Sequence, residues 1–320
     1  MAVPDAGLRR ARQQGVALIT ALLVVALAVT AATAMATRMH VDVRRTGNLL
    51  HGEQAYAYAL SAESWAYIIL RKDGKESQHD ALDEDWATAL PPISVEGGLV
   101  NGRISDLQGR FNVNNLVKAD GTPNTDEIDY FKRLLTVLNL DLDLSAKLLD
   151  WIDEDINATF PGGAEDDSYL LLEPPYRAAN RPLVSLSELQ LVQGFTAEVM
   201  GALTPHVTAL PGITAINVNT ATPELLLALD ADLTAQDVEM LVAEREQEAF
   251  TDKATFQAHD ALAGLTIAVQ TDVSSKWFRV LTDVRVGSGQ SHVESLLERD
   301  AGKLRVVSRV RTRERLLPPG

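Results

Sequence analysis

The chain has 320 residues, enough for about two domains of roughly 100–200 residues each, and its 46% hydrophobic and 23% charged content is that of a folded soluble protein, which excludes wholesale disorder and a polytopic membrane protein. A formal charge of −15, from 44 Asp plus Glu against 29 Lys plus Arg, opposes broad contact with nucleic acid or an anionic membrane surface. The lack of cysteine removes disulfides, thiolate zinc sites, iron–sulfur clusters and cysteine nucleophiles together.

Residues 1–15 carry Arg9, Arg10 and Arg12 against one acid, Asp5, and residues 16–37 follow without a charge. At about 1.5 Å per helical residue, that run spans a hydrocarbon core of roughly 30 Å. The arginines ahead of it place the N-terminus in the cytoplasm and the bulk of the chain outside it. Three readings compete: a signal peptide cut at Ala32-Thr33-Ala34 or Ala34-Met35-Ala36, a permanent anchor, or a prepilin-type leader. The signal peptide suffers from length, because apolar signal cores usually run about 7–15 residues. Gly15 stands directly ahead of the apolar run, behind a basic, glutamine-bearing leader. The segment Gly15-Val16-Ala17-Leu18-Ile19-Thr20 resembles the cleavage site of type IV pilins and type II secretion pseudopilins. That resemblance implies cutting after Gly15 by prepilin peptidase, with Val16 as the N-methylated first residue. Thr20 stands where the family usually has a glutamate, and this departure resembles the K-type minor pseudopilin of the filament tip. A bare carboxylate in lipid is costly unless a cation meets it, and a tip subunit has no neighbour above to supply one.

Residues 38–70 lack proline, and Tyr56, Leu60, Tyr67 and Leu70 recur at helical spacing. The membrane helix is therefore expected to continue into water and to stop at Asp73-Gly74, with some slack at Gly47-Asn48. Residues 91–118 read as two or three strands, punctuated by Pro91-Pro92, Gly97-Gly98, Asn101-Gly102 and Gly109. Matching strands close the chain over 277–286, 291–298 and 304–311, so the two blocks can form one antiparallel sheet against the long helix. Between them the pattern is helical: Tyr130, Leu134, Leu135, Val137 and Leu138 make one amphipathic run; Leu186, Leu189 and Val192 another; residues 225–229, then Val238, Leu241 and Val242, two more.

Residues 141–173 hold ten acids and one base, Lys147. Asp153, Asp155 and Asn157 fall at the first, third and fifth places of a calcium loop, where alternate oxygens converge on a hard cation. Ala158 then stands where an EF-hand needs glycine, and Ala164 where it needs glutamate, with Glu165 one place late. The segment is not an EF-hand. A solvated acidic loop is the plain alternative to a metal site. The runs Asp150-Trp151-Ile152-Asp153-Glu154-Asp155, Gly163-Ala164-Glu165-Asp166, Tyr169, Pro174-Pro175-Tyr176-Arg177-Ala178-Ala179-Asn180-Arg181-Pro182 and Leu186-Ser187-Glu188-Leu189 are similar to the K-type signature, whose helical insert binds calcium. The resemblance implies Asp153, Asp155, Glu165 and Asp166 as the leading calcium ligands, Asp150, Asp167 and Asn180 as further ones, and a structural role for the ion.

The stretch Ile216-Asn217-Val218-Asn219-Thr220-Ala221-Thr222-Pro223-Glu224-Leu225 resembles the helical hairpins of DNA-binding modules, with Thr222 as cap and Pro223 at the first helical position. The turn after it, Asp230-Ala231-Asp232, repels phosphate, which favours a scaffold role. The six histidines form no H-E-x-x-H pair, and neither a G-x-S-x-G elbow nor a P-loop occurs.

These readings combine into an α+β, pilin-like fold: a long N-terminal helix on a small antiparallel β-sheet, with a large all-helical insertion. The expected divisions are a leader over 1–15, a transmembrane helix over 16–36, pilin-like helix and first strands over 37–120, an insertion over 121–270 in two parts (121–208 and 209–270), and closing strands over 271–320. The resemblance implies a non-enzymatic minor pseudopilin of the inner membrane, globular part periplasmic, that helps to initiate or cap the type II secretion pseudopilus. Its implied partners are other minor pseudopilins in a tip complex, prepilin peptidase and inner-membrane secretion components, with no nucleic acid. The alternatives are a membrane-anchored periplasmic hydrolase using the acidic cluster as a metal site, and a minor pilin of a DNA-uptake or adhesion pilus.

Overall fold

A computed structural model describes residues 7–88, 91–300, 302–312 and 316, with side chains from Val16 onward. Helix α1 (Gly7–Glu76) is continuous, so the slack expected at Gly47-Asn48 is absent and the helix passes two residues beyond Asp73-Gly74. Gly15 lies within it and is described as backbone only. The helix contains one stretch long and apolar enough to cross a membrane, and no part of that stretch is covered by the rest of the chain. Within it, the hydroxyls of Thr20, Thr30, Thr33 and Thr37 donate to backbone carbonyls three or four residues earlier. Thr20 is thus satisfied by Val16 and Ala17 and needs no partner from a neighbouring helix.

The other half of α1 packs on a sheet. Its seam is Ala55, Ala59, Glu63, Ala66 and Leu70, at steps of four, four, three and four residues. The expected stripe is corrected here: Tyr56, Leu60 and Tyr67 are half-buried flanks, and only Leu70 belongs to the centre. Small side chains in the middle let the helix axis approach the strands, while the larger ones grip either side. Glu63 is the polar member of the seam. It accepts from Arg309 Nε at 2.8 Å, Arg309 Nη2 at 2.6 Å and the Ser295 hydroxyl, so the buried carboxylate is fully partnered.

After α1 come β1 (Ile93–Val95) and β2 (Gly98–Asp106). The chain then leaves the sheet and builds β3 (Phe111–Asn112), α2 (Thr125–Val137), α3 (Asp143–Ile152), α4 (Asp166–Tyr169), α5 (Ala197–Leu203), β4 (Val207–Thr208), β5 (Ile216–Asn217), α6 (Pro223–Leu227), α7 (Ala235–Gln247), α8 (Lys253–Gln257) and β6 (Thr271–Asp272). It re-enters as β7 (Trp277–Val286), β8 (Gly289–Asp300) and β9 (Lys303–Arg311). The antiparallel sheet has the order β1-β2-β7-β8-β9. The register of β2 on β7 runs from Gly98↔Val286 to Asp106↔Phe278, so the whole of 107–276 departs and returns between two neighbouring strands.

The insertion is therefore longer at both ends than the expected 121–270. The third expected strand near residue 111 pairs with β4 inside the insertion rather than with the sheet, and residues Val113–Leu116 form a 3-10 turn capped by the Asn112 side chain. The regular structure of the insertion is helical apart from two two-residue parallel pairings, β3 with β4 and β5 with β6, and one antiparallel bridge between Val117 and Pro123. One contiguous apolar cluster runs from Phe111 to Val273 and joins both expected halves. At the far end of the sheet, the β7–β8 hairpin presses on α1. A Cβ at Gly289 would stand 2.3 Å from the His51 carbonyl carbon, so only glycine fits that approach. Enlarging the alanine seam should overpack it. Ala59→Leu is expected to lower stability by about 1–3 kcal/mol in urea unfolding of the detergent-solubilised protein, and an unchanged midpoint would refute the close-packed seam.

Candidate metal centre

The acidic segment folds around an aromatic stack. Trp151 meets Tyr169 edge to face at 5.1 Å, and Tyr169 stacks on Tyr176 at 5.5 Å. This stack ties the end of α3, the short α4 and the loop after it together, and so brings acids distant in sequence to one place. Asp150, fully buried on the last turn of α3, accepts from Thr159 N with both oxygens, at 3.0 and 3.1 Å. Gly163 closes over it. A Cβ there would lie 2.1 Å from Asp150 Oδ2 and 2.5 Å from the Thr159 carbonyl, so the loop passes only with glycine.

Asp153 caps the end of α3 and is buried, and its Oδ1 has no hydrogen-bond partner. Glu165, at the start of α4, is also buried, with neither carboxylate oxygen partnered. Burial, then the negative charges of Asp150 and Asp153, push the Glu165 carboxyl up to about 7. Burial, then Asp155 and Asp150, push Asp153 to about 6. Burial raises Asp150 as well. Asn180 adopts φ 44°, donates Nδ2 to the Asp155 carbonyl at 2.6 Å and keeps a buried Oδ1 without a partner.

The structure thus brings Asp150, Asp153 and Glu165 to one buried locus, with half-buried Asn180 held to the Asp155 carbonyl beside it. Asp155 turns its carboxylate to Asn157 N and Nδ2 at 2.7 and 2.9 Å, and is exposed. Asp166 accepts from Ala178 N at 3.1 Å and pairs with the exposed Arg177 at 3.3 Å. Asp167 is exposed. Ala164, at the glutamate place of a calcium loop, points into the apolar core, the structural reason why the EF-hand register fails.

A second group of acids gives a contrast. Asp73, Asp80 and Glu84 hold carboxylate oxygens all within 4.8 Å of one another, the one such trio among the described residues. A guanidinium already serves it: Arg299 pairs with Asp73 at 2.8 Å and with Asp80 at 2.5 Å, while Glu84 accepts from Ala81 N at 2.9 Å and Trp86 Nε1 at 2.8 Å. The acidic loop is wider and has no such cation. Among the described residues none of Asp150, Asp153 and Glu165 forms an ion pair, and four buried oxygens there lack a donor. An oxygen-only donor set with unmet buried acceptors fits a hard divalent cation.

Sequence reasoning missed the joint between head and insertion. Asp106, at the end of β2, accepts from Gln108 N at 2.7 Å, Asn217 Nδ2 at 3.1 Å, Thr220 Oγ1 at 2.5 Å and Ser275 Oγ at 2.8 Å. Asn217 also donates to the Asp80 carbonyl at 3.0 Å. Three of the four partners lie more than a hundred residues from Asp106, and no local pattern announces them. The stretch resembling a DNA-binding hairpin is part of this joint: Asn217 and Asn219 are buried, and Thr222 caps α6.

A membrane-length helix running onto an antiparallel sheet, with a helical body issuing between two adjacent strands, defines a pilin-like subunit of the minor pseudopilin class. Two family profiles, both described as "Type II secretion system (T2SS), protein K", match residues 109–212 and 216–275. Proteins named Type II secretion system protein K from Pseudomonas aeruginosa PAO1, Pectobacterium carotovorum subsp. carotovorum and Aeromonas hydrophila are 37%, 34% and 33% identical, over 94%, 94% and 90% of this chain and 93%, 97% and 93% of theirs. A chain in the crystal structure of the GspK-GspI-GspJ complex from the enterotoxigenic Escherichia coli type 2 secretion system matches with a TM-score of 0.75 at 26% identity, over 84% of this chain and 100% of that one. The chain belongs to the type II secretion system protein K family.

The raised carboxyls set a pH dependence. Each binds its proton more tightly in the folded state, so its contribution is fully present below the unfolded value and is lost as pH rises through the folded one. In chelator, thermal stability should fall between about pH 4.5 and 7, and Glu165→Gln should flatten that fall in calorimetry. An identical slope in the variant would refute the assignment.

Proposed function

We propose that this protein is a non-enzymatic tip subunit of a type II secretion pseudopilus, which initiates or caps the filament with other minor pseudopilins. The observation that carries the reading is the insertion between β2 and β7. A body of that size beside the long helix is too bulky to repeat along a shaft of closely stacked subunits, so sterics confine it to an end. The apolar, uncovered first half of α1 supports anchoring in the inner membrane before assembly, N-terminus cytoplasmic and head periplasmic. The self-satisfied Thr20 suits a subunit with no neighbour above it. The related structure, a GspK-GspI-GspJ complex, supports other minor pseudopilins as partners.

We further propose that calcium is held by Asp150, Asp153, Glu165 and the Asn180 side-chain oxygen, with Asp155, Asp166 and Asp167 at the margin. When bound, the ion supplies positive charge to carboxylates that otherwise repel one another. Thr159, Gly163 and the Trp151–Tyr169–Tyr176 stack hold the backbone on which those oxygens sit. The role is structural, closing a loop stretch that has little regular structure of its own.

Two measurements test these readings. Intact mass of the chain purified from its own membranes should show a start at N-methylated Val16, made by prepilin peptidase; a start beyond Ala34 or Ala36 would sink the pseudopilin reading. Melting with and without a chelator should differ, calcium at about a hundredfold over its dissociation constant adding about 2.7 kcal/mol, and Asp153→Asn should remove most of that difference. Superimposable curves would eliminate calcium, and a hydrolytic activity abolished by Asp153→Asn would revive the enzyme.

A further inference from the structure

The sheet ends on an open edge. β9 is its terminal strand, and of its residues only Leu304 is buried; Val306, Val307 and Val310 are 36%, 38% and 60% exposed. Of the described residues beyond it, Thr312 N donates to the His292 carbonyl at 3.1 Å, following on from the pairing with β8, and Leu316 N donates to Asp283 Oδ2 of β7 at 2.9 Å. Among the described residues no strand pairs with the outward row of N–H and C=O groups of β9.

Charge decides what that strand can be. Lys303, Arg305, Arg309 and Arg311 are placed symmetrically about Val307, and β9 contains no acid. Antiparallel pairing with a second copy, centred on Val307, would set Lys303 opposite Arg311 and Arg305 opposite Arg309, twice over. Like charges directly opposite destabilise a ladder, so the edge resists its own kind. The inner two cations are engaged within the chain, Arg305 with Glu298 and Arg309 with Glu63. The outer two are not: among the described residues Lys303 and Arg311 have no carboxylate partner, and Arg311 lies over the Tyr56 ring at 5.1 Å. A bulge at the shift between Leu296 and Leu297 divides the edge into two short runs, each ending in one of these cations.

We propose that the β9 edge is a docking site for an extended segment of a different protein, one that alternates apolar residues with carboxylates. Its backbone extends the sheet, its apolar side chains meet the exposed valines, and its acids meet Lys303 and Arg311. The inference is independent of the metal.

The test is hydrogen exchange over 303–311 in the full chain in detergent, with short capped peptides as probes. A peptide alternating valine and glutamate should slow exchange there by about tenfold, and added salt should reverse the effect. A peptide alternating valine and lysine should leave exchange unchanged. The double variant Lys303→Glu/Arg311→Glu, altering exposed positions only, should invert the preference. Equal protection by both peptides or by neither, or protection arising from dimerisation of the protein itself, would overturn the proposal.

Discussion

The architecture turns on one buried carboxylate. Asp106 ends β2, and there the chain must leave the sheet for 170 residues and come back beside the strand it left. Burial pushes its carboxyl up, and four donors, from Gln108, Thr220, Ser275 and Asn217, act against that rise. The donors come from the exit, the middle and the return of the insertion. A charge in this position is costly unless every lone pair is met, so the acceptor requires the three segments to converge. Asp80 extends the same network: it accepts from Ser275 N at 2.7 Å and pairs with Arg299 of β8, which also reaches Asp73 on α1. The stalk, the sheet and the insertion are thereby joined through adjoining sets of hydrogen bonds. A bulky insertion can then be carried in a defined direction from the helix that anchors it.

The protein answers the cost of clustered acids in two ways. At Asp73, Asp80 and Glu84 an arginine is built in, stacked over Phe278 at 4.7 Å, and the backbone and Trp86 supply the rest. At Asp150, Asp153 and Glu165 no ion pair forms among the described residues, and while Asp150 accepts from Thr159 N, Asp153 Oδ1 and both Glu165 oxygens are buried without donors. The first arrangement is complete by itself. The second leaves buried carboxyls that bind protons more tightly in the folded state, and so couples the insertion's stability to pH. That difference, rather than the number of acids, sets the loop apart from the cluster served by Arg299.

Helix α1 serves two solvents along one axis. Its first half is apolar on all sides, as lipid or neighbouring helices require, and its threonines are satisfied by their own backbone. Its second half presents a narrow alanine seam with one carboxylate, Glu63, gripped by Arg309. The seam brings the sheet close and the ion pair bridges helix and sheet, so the head is fixed to the same rod that carries the membrane-length apolar stretch.

The leader arginines, the uncharged run, the helical stretch after it, the flanking strand blocks and the acidic segment were all readable, because each is written in consecutive residues whose spacing or charge carries the signal. The K-type motifs were readable for the same reason. The alanine seam was less so, since small residues at helical spacing look unremarkable until a sheet lies against them, and the bulky flanks drew the stripe to Tyr56, Leu60 and Tyr67. The edges of the insertion, the burial of Asp150 against the turned-out, exposed Asp155, and the Asp106 joint belong to tertiary structure. Those features depend on which distant groups meet: hydrogen bonds between residues 106, 217 and 275 leave no local period, and whether a carboxylate faces a pocket or solvent is decided by packing, here by one aromatic stack and one glycine.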